Sequence, residues 1–251
     1  MNEVIYLSDA APVHMADEWF GIATLEHFWI KRRFEVLVRL ARGLTFRSQT
    51  IGEMGCGHGM MQKQFEEHYG LQVDGFDLNA QALNCSVATN HPRYCYNVFD
   101  RNPQFAARYD VLILFDVLEH IEQEKPFLEA VLFHLKAGGH LLVNVPAFMS
   151  LHSRYDEVVG HQRRYTIATL EAVCAQAGLK RIARTYWGLT YVPLLLMRKL
   201  WLMREKDAQR VTRRGYQAPS RLINRLLTVG GRLEPIPQSW LGSSVMAIYR
   251  K

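Results

Sequence analysis

The sequence predicts an α/β fold: a mostly parallel sheet with an antiparallel last strand, helices at the N-terminus and a helical cover at the C-terminus. Strand and helix signals alternate from about residue 50 to residue 186. Within them, YDVLILF at Tyr109–Phe115 is a continuous apolar run, as a central strand buried on both faces requires. A glycine-rich turn, Glu53-Met54-Gly55-Cys56-Gly57-His58-Gly59, joins the first strand of the alternation to its first helix.

The elements follow in order. Asp17 to Leu44 reads as helix rich in aromatic residues and arginine, within an N-terminal cap over 1–45. Thr50–Met54 is a short strand, Met60–Tyr69 a helix closed by Gly70, Gln72–Phe76 a strand, Asn79–Ala88 a helix and Tyr94–Phe99 a strand. After Tyr109–Phe115 comes a helix from about Pro126 to Leu135, with proline in its first turn and Gly138-Gly139 beyond its end. His140–Val145 is a strand stopped by Pro146, and Thr166 caps a helix that runs to Ala177. Lys180–Tyr186 and Val245–Tyr249 are the last strands. The core therefore covers 46–186, a basic and partly helical cover 187–240, and the closing strand of the core 241–251. Ala208–Pro219 reads as the most mobile stretch.

Composition narrows the function classes. The chain has 251 residues, 49% hydrophobic and 22% charged, which is globular usage. The N-terminus lacks a basic region followed by an apolar run, and the apolar stretch around Leu189–Met197 is too short to span a bilayer, so a cytoplasmic protein is expected. Cys56, Cys85, Cys95 and Cys174 have no metal-ligand spacing, and the histidines form no metal motif. The net charge is +6, and from Lys180 onward only Glu205, Asp207 and Glu234 are acidic. Such a tail suits an anionic substrate, a membrane surface or nucleic acid; the last ranks lowest, for lack of a zinc-finger or RNA-binding signature.

The glycine turn lets the backbone approach a ligand closely, with the following helix's N–H groups facing it. Its spacing is G-x-G-x-G with an acid two residues ahead, not the dinucleotide fingerprint G-x-G-x-x-G. Asp77, at the end of the next strand, lies about 20 residues on, where a ribose diol would be held. Alone it would read as a helix cap; with the glycine turn it reads as a nucleoside site. Asp100 follows the third strand, in reach of an adenine amino group, and Phe115-Asp116 ends the fourth at the edge where such sheets bind ligands.

In order, EMGCGHG, GFDLN, NVFDRNP and YDVLILFDVLEHI resemble the motifs of class I S-adenosylmethionine-dependent methyltransferases, which have a Rossmann-like fold. FDVLEHI is similar to the branch of ubiquinone-pathway O-methyltransferases and of enzymes from natural-product and glycan clusters; EHFWIKRR, GHQRRYT and LGSSVMAIYRK extend the likeness outward. The resemblance implies that Glu53, Gly55, Cys56, Gly57 and Gly59 form the cofactor loop. Asp77 would bind ribose, Leu78 pack on adenine, Asp100 approach the adenine amino group, and Phe115 and Asp116 line the cofactor floor. Arg33 and Trp29 would close over the methionine end, Arg33 pairing with its carboxylate; a solvated charge and a core aromatic are the plainer alternatives.

Methyl transfer to oxygen needs alignment and a base. His161 in GHQRRYT is the preferred base, and His120 after the fourth strand the second; each could instead only pin its loop. Arg163, Arg164 and Tyr165 could hold an anionic substrate group or pair with Asp156 or Glu157. The expected reaction is O-methylation of a small-molecule or carrier- or lipid-linked intermediate, with S-adenosylhomocysteine as product. N- or C-methylation and a non-catalytic binding protein are the alternatives. No G-x-S-x-G hydrolase turn is present, and FDVLEH lacks the Asn/Asp-Pro-Pro-aromatic signature for base amino groups. Thr190–Lys206, with Trp201 among large aliphatics and Arg198, Lys199, Arg204 and Lys206 around them, could lie in a membrane interface at the inner face, pack on the core, or join two subunits.

Overall fold

The computed structural model describes residues 3–11, 23–216 and 220–251. Eight strands form one sheet: β1 (Val4–Tyr6), β2 (Ile51–Met54), β3 (Asp74–Asp77), β4 (Arg93–Cys95), β5 (Tyr109–Phe115), β6 (Leu135–Pro146), β7 (Lys180–Trp187) and β8 (Ser244–Arg250). Their order is β1-β4-β3-β2-β5-β6-β8-β7. β2 through β6 pair in parallel, and β8 runs antiparallel between β6 and β7. This is a Rossmann-like sheet with the chain's last strand reversed.

Nine helices are described: α1 (Phe28–Leu40), α2 (Met60–Tyr69), α3 (Ala80–Asn84), α4 (Glu124–His134), α5 (Arg154–Val158), α6 (Ile167–Gln176), α7 (Val192–Leu202), α8 (Ala208–Tyr216) and α9 (Arg221–Arg232). Alternation along β5 explains its unbroken apolar run. Leu112 and Leu114 enter one core cluster, with Leu128, Leu141 and Tyr165. Val111, Ile113 and Phe115 enter the other, with Phe28, Phe65 and Trp187. Each face is covered by helices, so both sets of side chains leave water.

Several boundaries differ from the sequence reading. The strand expected at Tyr94–Phe99 stops at Cys95, because the Asn97 side chain accepts from Phe99 N at 3.1 Å and starts a tight turn over Val98–Asp100. The helix expected to reach Ala88 ends at Asn84, where Arg93 Nη1 takes the carbonyl of Leu83 at 2.7 Å. The N-terminal region carries β1 as well as helix, and α1 begins at Phe28, with the His27 side chain capping Trp29 N. The stretch Asp17–Ile22 of the expected first helix lies outside the described residues. Ala208–Tyr216, read as mobile, is helical and buries Val211; 217–219 lie outside the described residues. Short α5 has a capping box, Ser153 with Asp156.

Candidate active site

A cavity of about 260 Å³ opens at the C-terminal ends of β2, β5 and β6, walled by α1, α7 and the end of α8. Its floor is the glycine turn. Gly55, Gly57 and Gly59 all have positive φ, at 76°, 53° and 81°. At Gly55 a Cβ would stand 2.3 Å from Val117, so the turn can approach the segment after β5 only without a side chain. At Gly57 a Cβ would meet nothing within 4 Å: the backbone there faces open space on the cavity side of the turn.

The acids around this floor are held differently. Asp77 accepts from Gly57 N at 2.7 Å and from Asn79 N at 2.8 Å, which ties the end of β3 to the glycine turn. A carboxylate has about four acceptor positions, so capacity for two hydroxyls remains. Burial raises its pKa, and the backbone donors oppose that rise. Glu53 is buried in the cavity wall, and its Oε2 has no hydrogen-bond partner among the described residues. Burial pushes its carboxyl from 4.5 up to about 8; Arg33 opposes this, while Asp77 and Asp116 add to it. A buried acid with one unpartnered oxygen beside a glycine cradle fits a ligand that carries an ammonium group and a nucleoside, as S-adenosylmethionine does.

Arg33 and Trp29 both line the cavity. Arg33 is paired internally, donating to Asp116 Oδ2 at 2.5 Å, with its guanidinium 4.9 Å from the Trp29 ring centre and 5.4 Å from that of Phe115. Asp116 also accepts from Asn144 Nδ2 at 2.8 Å, and Asn144 Oδ1 accepts from Trp187 Nε1 at 2.8 Å. This buried chain fixes the Asp116 carboxylate. Neither Asn144 nor Trp187 stands out in the sequence, since an isolated Asn in a strand and a Trp at a strand end carry no spacing signal.

Asp77, Leu78 and Asp100 are not among the cavity's lining residues; Asp77 lies behind the glycine turn, bonded to Gly57 N. The Leu78 carbonyl accepts from Ala11 N, and Asp100 accepts from Ser8 Oγ in a small polar groove beside β1. The polypeptide of residues 7–11 thus lies along the edge where an adenine was expected.

On the opposite wall, His161 Nδ1 stands 2.9 Å from Asp156 Oδ1, and His161 N donates to the Asp156 carbonyl at 2.7 Å. Arg164 also grips Asp156, through Nε at 2.8 Å and Nη2 at 2.7 Å. Burial would raise the Asp156 pKa, yet His161 and Arg164 outweigh it and hold the carboxyl well below the usual range. Arg163 pairs with Glu124 at 2.6 Å, and the Tyr165 hydroxyl donates to the same carboxylate at 2.5 Å. The alternative of internal ion pairs therefore describes Arg163 and Arg164, with Glu124 rather than Glu157 as one partner. His120 lies edge-on to His161, ring centres 4.9 Å apart. Glu119 is fully buried beside them; burial first, and Asp116 next, raise its pKa well above the usual value.

Among the described residues, Glu119, His120 and His161 bring one potential ligand atom each to within 4.8 Å of one another. No metal-ligand spacing shows in the sequence because His161 comes from a distant loop. Sequence reasoning also missed Asp156 as the partner that orients His161, although it sits only five residues before it. Tyr155 and Arg198, stacked with the guanidinium 4.3 Å from the ring centre, complete that wall.

Comparison with known proteins matches residues 26–183 to a methyltransferase domain family. The ubiquinone biosynthesis O-methyltransferase of Idiomarina loihiensis is 28% identical over 176 residues, 62% of this chain and 69% of that protein. The mitochondrial enzyme of the same name from Schizosaccharomyces pombe is 24% identical over 153 residues; there the chain spans 54% of the relative's length and 57% of its own. A solved S-adenosylmethionine-dependent methyltransferase from Archaeoglobus fulgidus superposes with a TM-score of 0.55 at 14% identity, over 88% of this chain and 94% of that one. Phosphoethanolamine N-methyltransferase 2 of Haemonchus contortus, solved with S-adenosylmethionine, gives 0.57 at 18% identity, over 90% of this chain and 56% of that one. At such identities the two structures speak for the fold. With the family match spanning well over half of the sequence, Glu53 and the glycine turn lining one cavity, and Asp77 bonded to that turn, the chain belongs to the methyltransferase-domain family, the class I enzymes that use S-adenosylmethionine.

Proposed function

We propose that the chain methylates an oxygen of a small-molecule or carrier- or lipid-linked biosynthetic intermediate, with His161 as general base. The observation that carries this reading is the His161–Asp156 contact at 2.9 Å on the cavity wall. With Asp156 held ionised by Arg164, the proton of the neutral ring belongs on Nδ1, and Nε2 is the acceptor. Nε2 lies 3.8 Å from Glu119 Oε1, beyond hydrogen-bond distance, and so remains available to an acceptor hydroxyl. The names of the ubiquinone-pathway relatives support an oxygen acceptor.

S-adenosylmethionine supplies an electrophilic methyl carbon on a positively charged sulfur. The acceptor oxygen forms the new bond to that carbon, the carbon–sulfur bond breaks, and its electron pair stays on sulfur in S-adenosylhomocysteine. His161 Nε2 takes the hydroxyl proton, and Asp156 stabilises the imidazolium that results. Glu53, Gly55 and Gly57 would hold the donor at one side of the cavity, and Asp77, bonded to Gly57 N, would take its ribose hydroxyls. Positioning of both reactants is worth roughly 7–11 kcal/mol in reactions of this kind.

His161→Ala is expected to lower turnover by roughly a hundred- to ten-thousand-fold, while cofactor affinity measured by calorimetry stays near wild type. Asp156→Asn should fall in the same direction, because an amide can fix the wrong tautomer. Wild-type turnover in His161→Ala on an accepted phenol or carrier-linked hydroxyl removes His161 from the chemistry. A second reading rests on the grouping of Glu119, His120 and His161: a divalent cation held there would polarise the hydroxyl instead. Turnover that is abolished by a chelator and restored by a divalent cation favours that second reading.

A further inference from the structure

Helices α7 and α9 turn large apolar side chains outward. Along α9, Leu222, Leu226, Val229 and Leu233 at its C-cap repeat at the spacing of one helical stripe. That stripe faces water: Leu222 is 67% exposed, Leu226 61% and Leu233 82%. The opposite side of α9 is anchored, with Asn224 Oδ1 accepting from Phe28 N and Asn224 Nδ2 donating to the Glu26 carbonyl. On α7, Leu200 and Trp201 are 71% and 66% exposed, next to exposed Leu196, Met197 and Met203. Both helices meet at Tyr191, which precedes α7 and donates through its hydroxyl to the Leu227 carbonyl of α9. An isolated Leu on a surface needs no explanation, but two neighbouring helices that expose their apolar faces do.

The charge around this surface selects what covers it. Residues 187–240 hold ten Lys and Arg against three acids, so this stretch carries the whole positive excess of the chain. Arg221 and Arg225 on α9 have no carboxylate partner among the described residues. Lys199 on α7 donates to the Ser150 carbonyl and has no carboxylate partner among the described residues. A second copy would bring the same positive surface against itself; an anionic bilayer complements it, taking the leucines into the acyl boundary and the arginines among the head groups. Among the described residues no helix is long and apolar enough to cross a membrane, which leaves contact in the plane of the interface.

We propose that the outward faces of α7 and α9 dock this protein on an anionic lipid bilayer. The cavity opens on the same side: Met197 and Trp201 line it and also stand on the exposed surface. An acceptor anchored in the bilayer would then reach His161 along α7 without leaving the lipid. This last consequence rests on the proposed methyl transfer; the docking itself does not.

The test is flotation of the full chain with vesicles of phosphatidylcholine containing about a third phosphatidylglycerol, without cofactor or acceptor, beside vesicles of phosphatidylcholine alone. Binding is expected with the anionic vesicles at low salt and should weaken as salt is raised. Arg221→Gln with Arg225→Gln should weaken it roughly fivefold per arginine removed. Leu222→Ser, Leu226→Ser and Leu233→Ser together should reduce it by at least about tenfold, with an unchanged melting temperature because these side chains are exposed already. No binding at low salt overturns the proposal. So does sedimentation showing a dimer that the triple serine variant dissociates, since the face would then be a subunit interface. Vesicle binding, beside a separate assay in which S-adenosylmethionine and hydroxyl acceptors give no turnover, would leave the docking standing and count against the proposed reaction.

Discussion

Glu53 is the residue where chemistry and stability pull apart. Its carboxyl is raised to about 8 in the folded protein, against 4.5 ordinarily, so between those values the folded state holds a proton that the unfolded chain has released. Stability contributed at this site is therefore lost as pH rises from about 4.5 to 8. Glu53→Gln should melt higher than wild type at pH 8 and about the same near pH 4.5, while binding S-adenosylmethionine more weakly. Because a ligand ammonium favours the ionised carboxylate, binding near pH 7 should release a proton in wild type, measured by calorimetry in buffers of different ionisation enthalpy. That release should vanish in Glu53→Gln. At this scale the sequence was informative where one motif holds the whole feature: the glycine turn and Asp77 face each other as their spacing implied. It was silent on pairings between distant residues. Arg33 with Asp116, Trp187 with Asn144 and Arg163 with Glu124 are all made by tertiary folding.

Elements with strong patterns were legible to the residue: β5 at Tyr109–Phe115 and α2 at Met60–Tyr69 are where periodicity and a closing Gly70 put them. β1 went unseen because three residues on a sheet edge carry no period, and α3 was overextended because Arg93 takes a carbonyl at its end. The loop after β6 shows how an element positions the proposed base. Glu124 in the first turn of α4 binds both Arg163 and the Tyr165 hydroxyl, and burial followed by Glu124 raises the pKa of that hydroxyl far above its ordinary value. Glu124→Ala should free the segment that carries His161. We expect turnover to fall about tenfold or more with cofactor affinity unchanged, since misplacement by an ångström is costly in this way. Steady-state kinetics beside calorimetry separates the two effects; equal losses in both would mean that α4 supports the cofactor side instead.

Across the whole molecule, one half of the sheet carries the glycine turn and the acids beside it, and the basic helix α7 with the end of α8 closes over the other side of the cavity. The positive charge that the sequence placed near the C-terminus is thus concentrated on the cover rather than on the sheet. Fold class was legible because an alternating strand–helix pattern admits few architectures; the acceptor was not, because the cavity wall is assembled from α1, α5, α7 and α8 without a common motif. The central claim concerns the donor, and calorimetric titration of the purified chain with S-adenosylmethionine and S-adenosylhomocysteine tests it most directly. Both should bind at a single site, with Asp77→Ala weakening each by about tenfold or more through loss of a charged acceptor for the ribose hydroxyls. Tight binding of NAD with no heat from either S-adenosyl compound would contradict it.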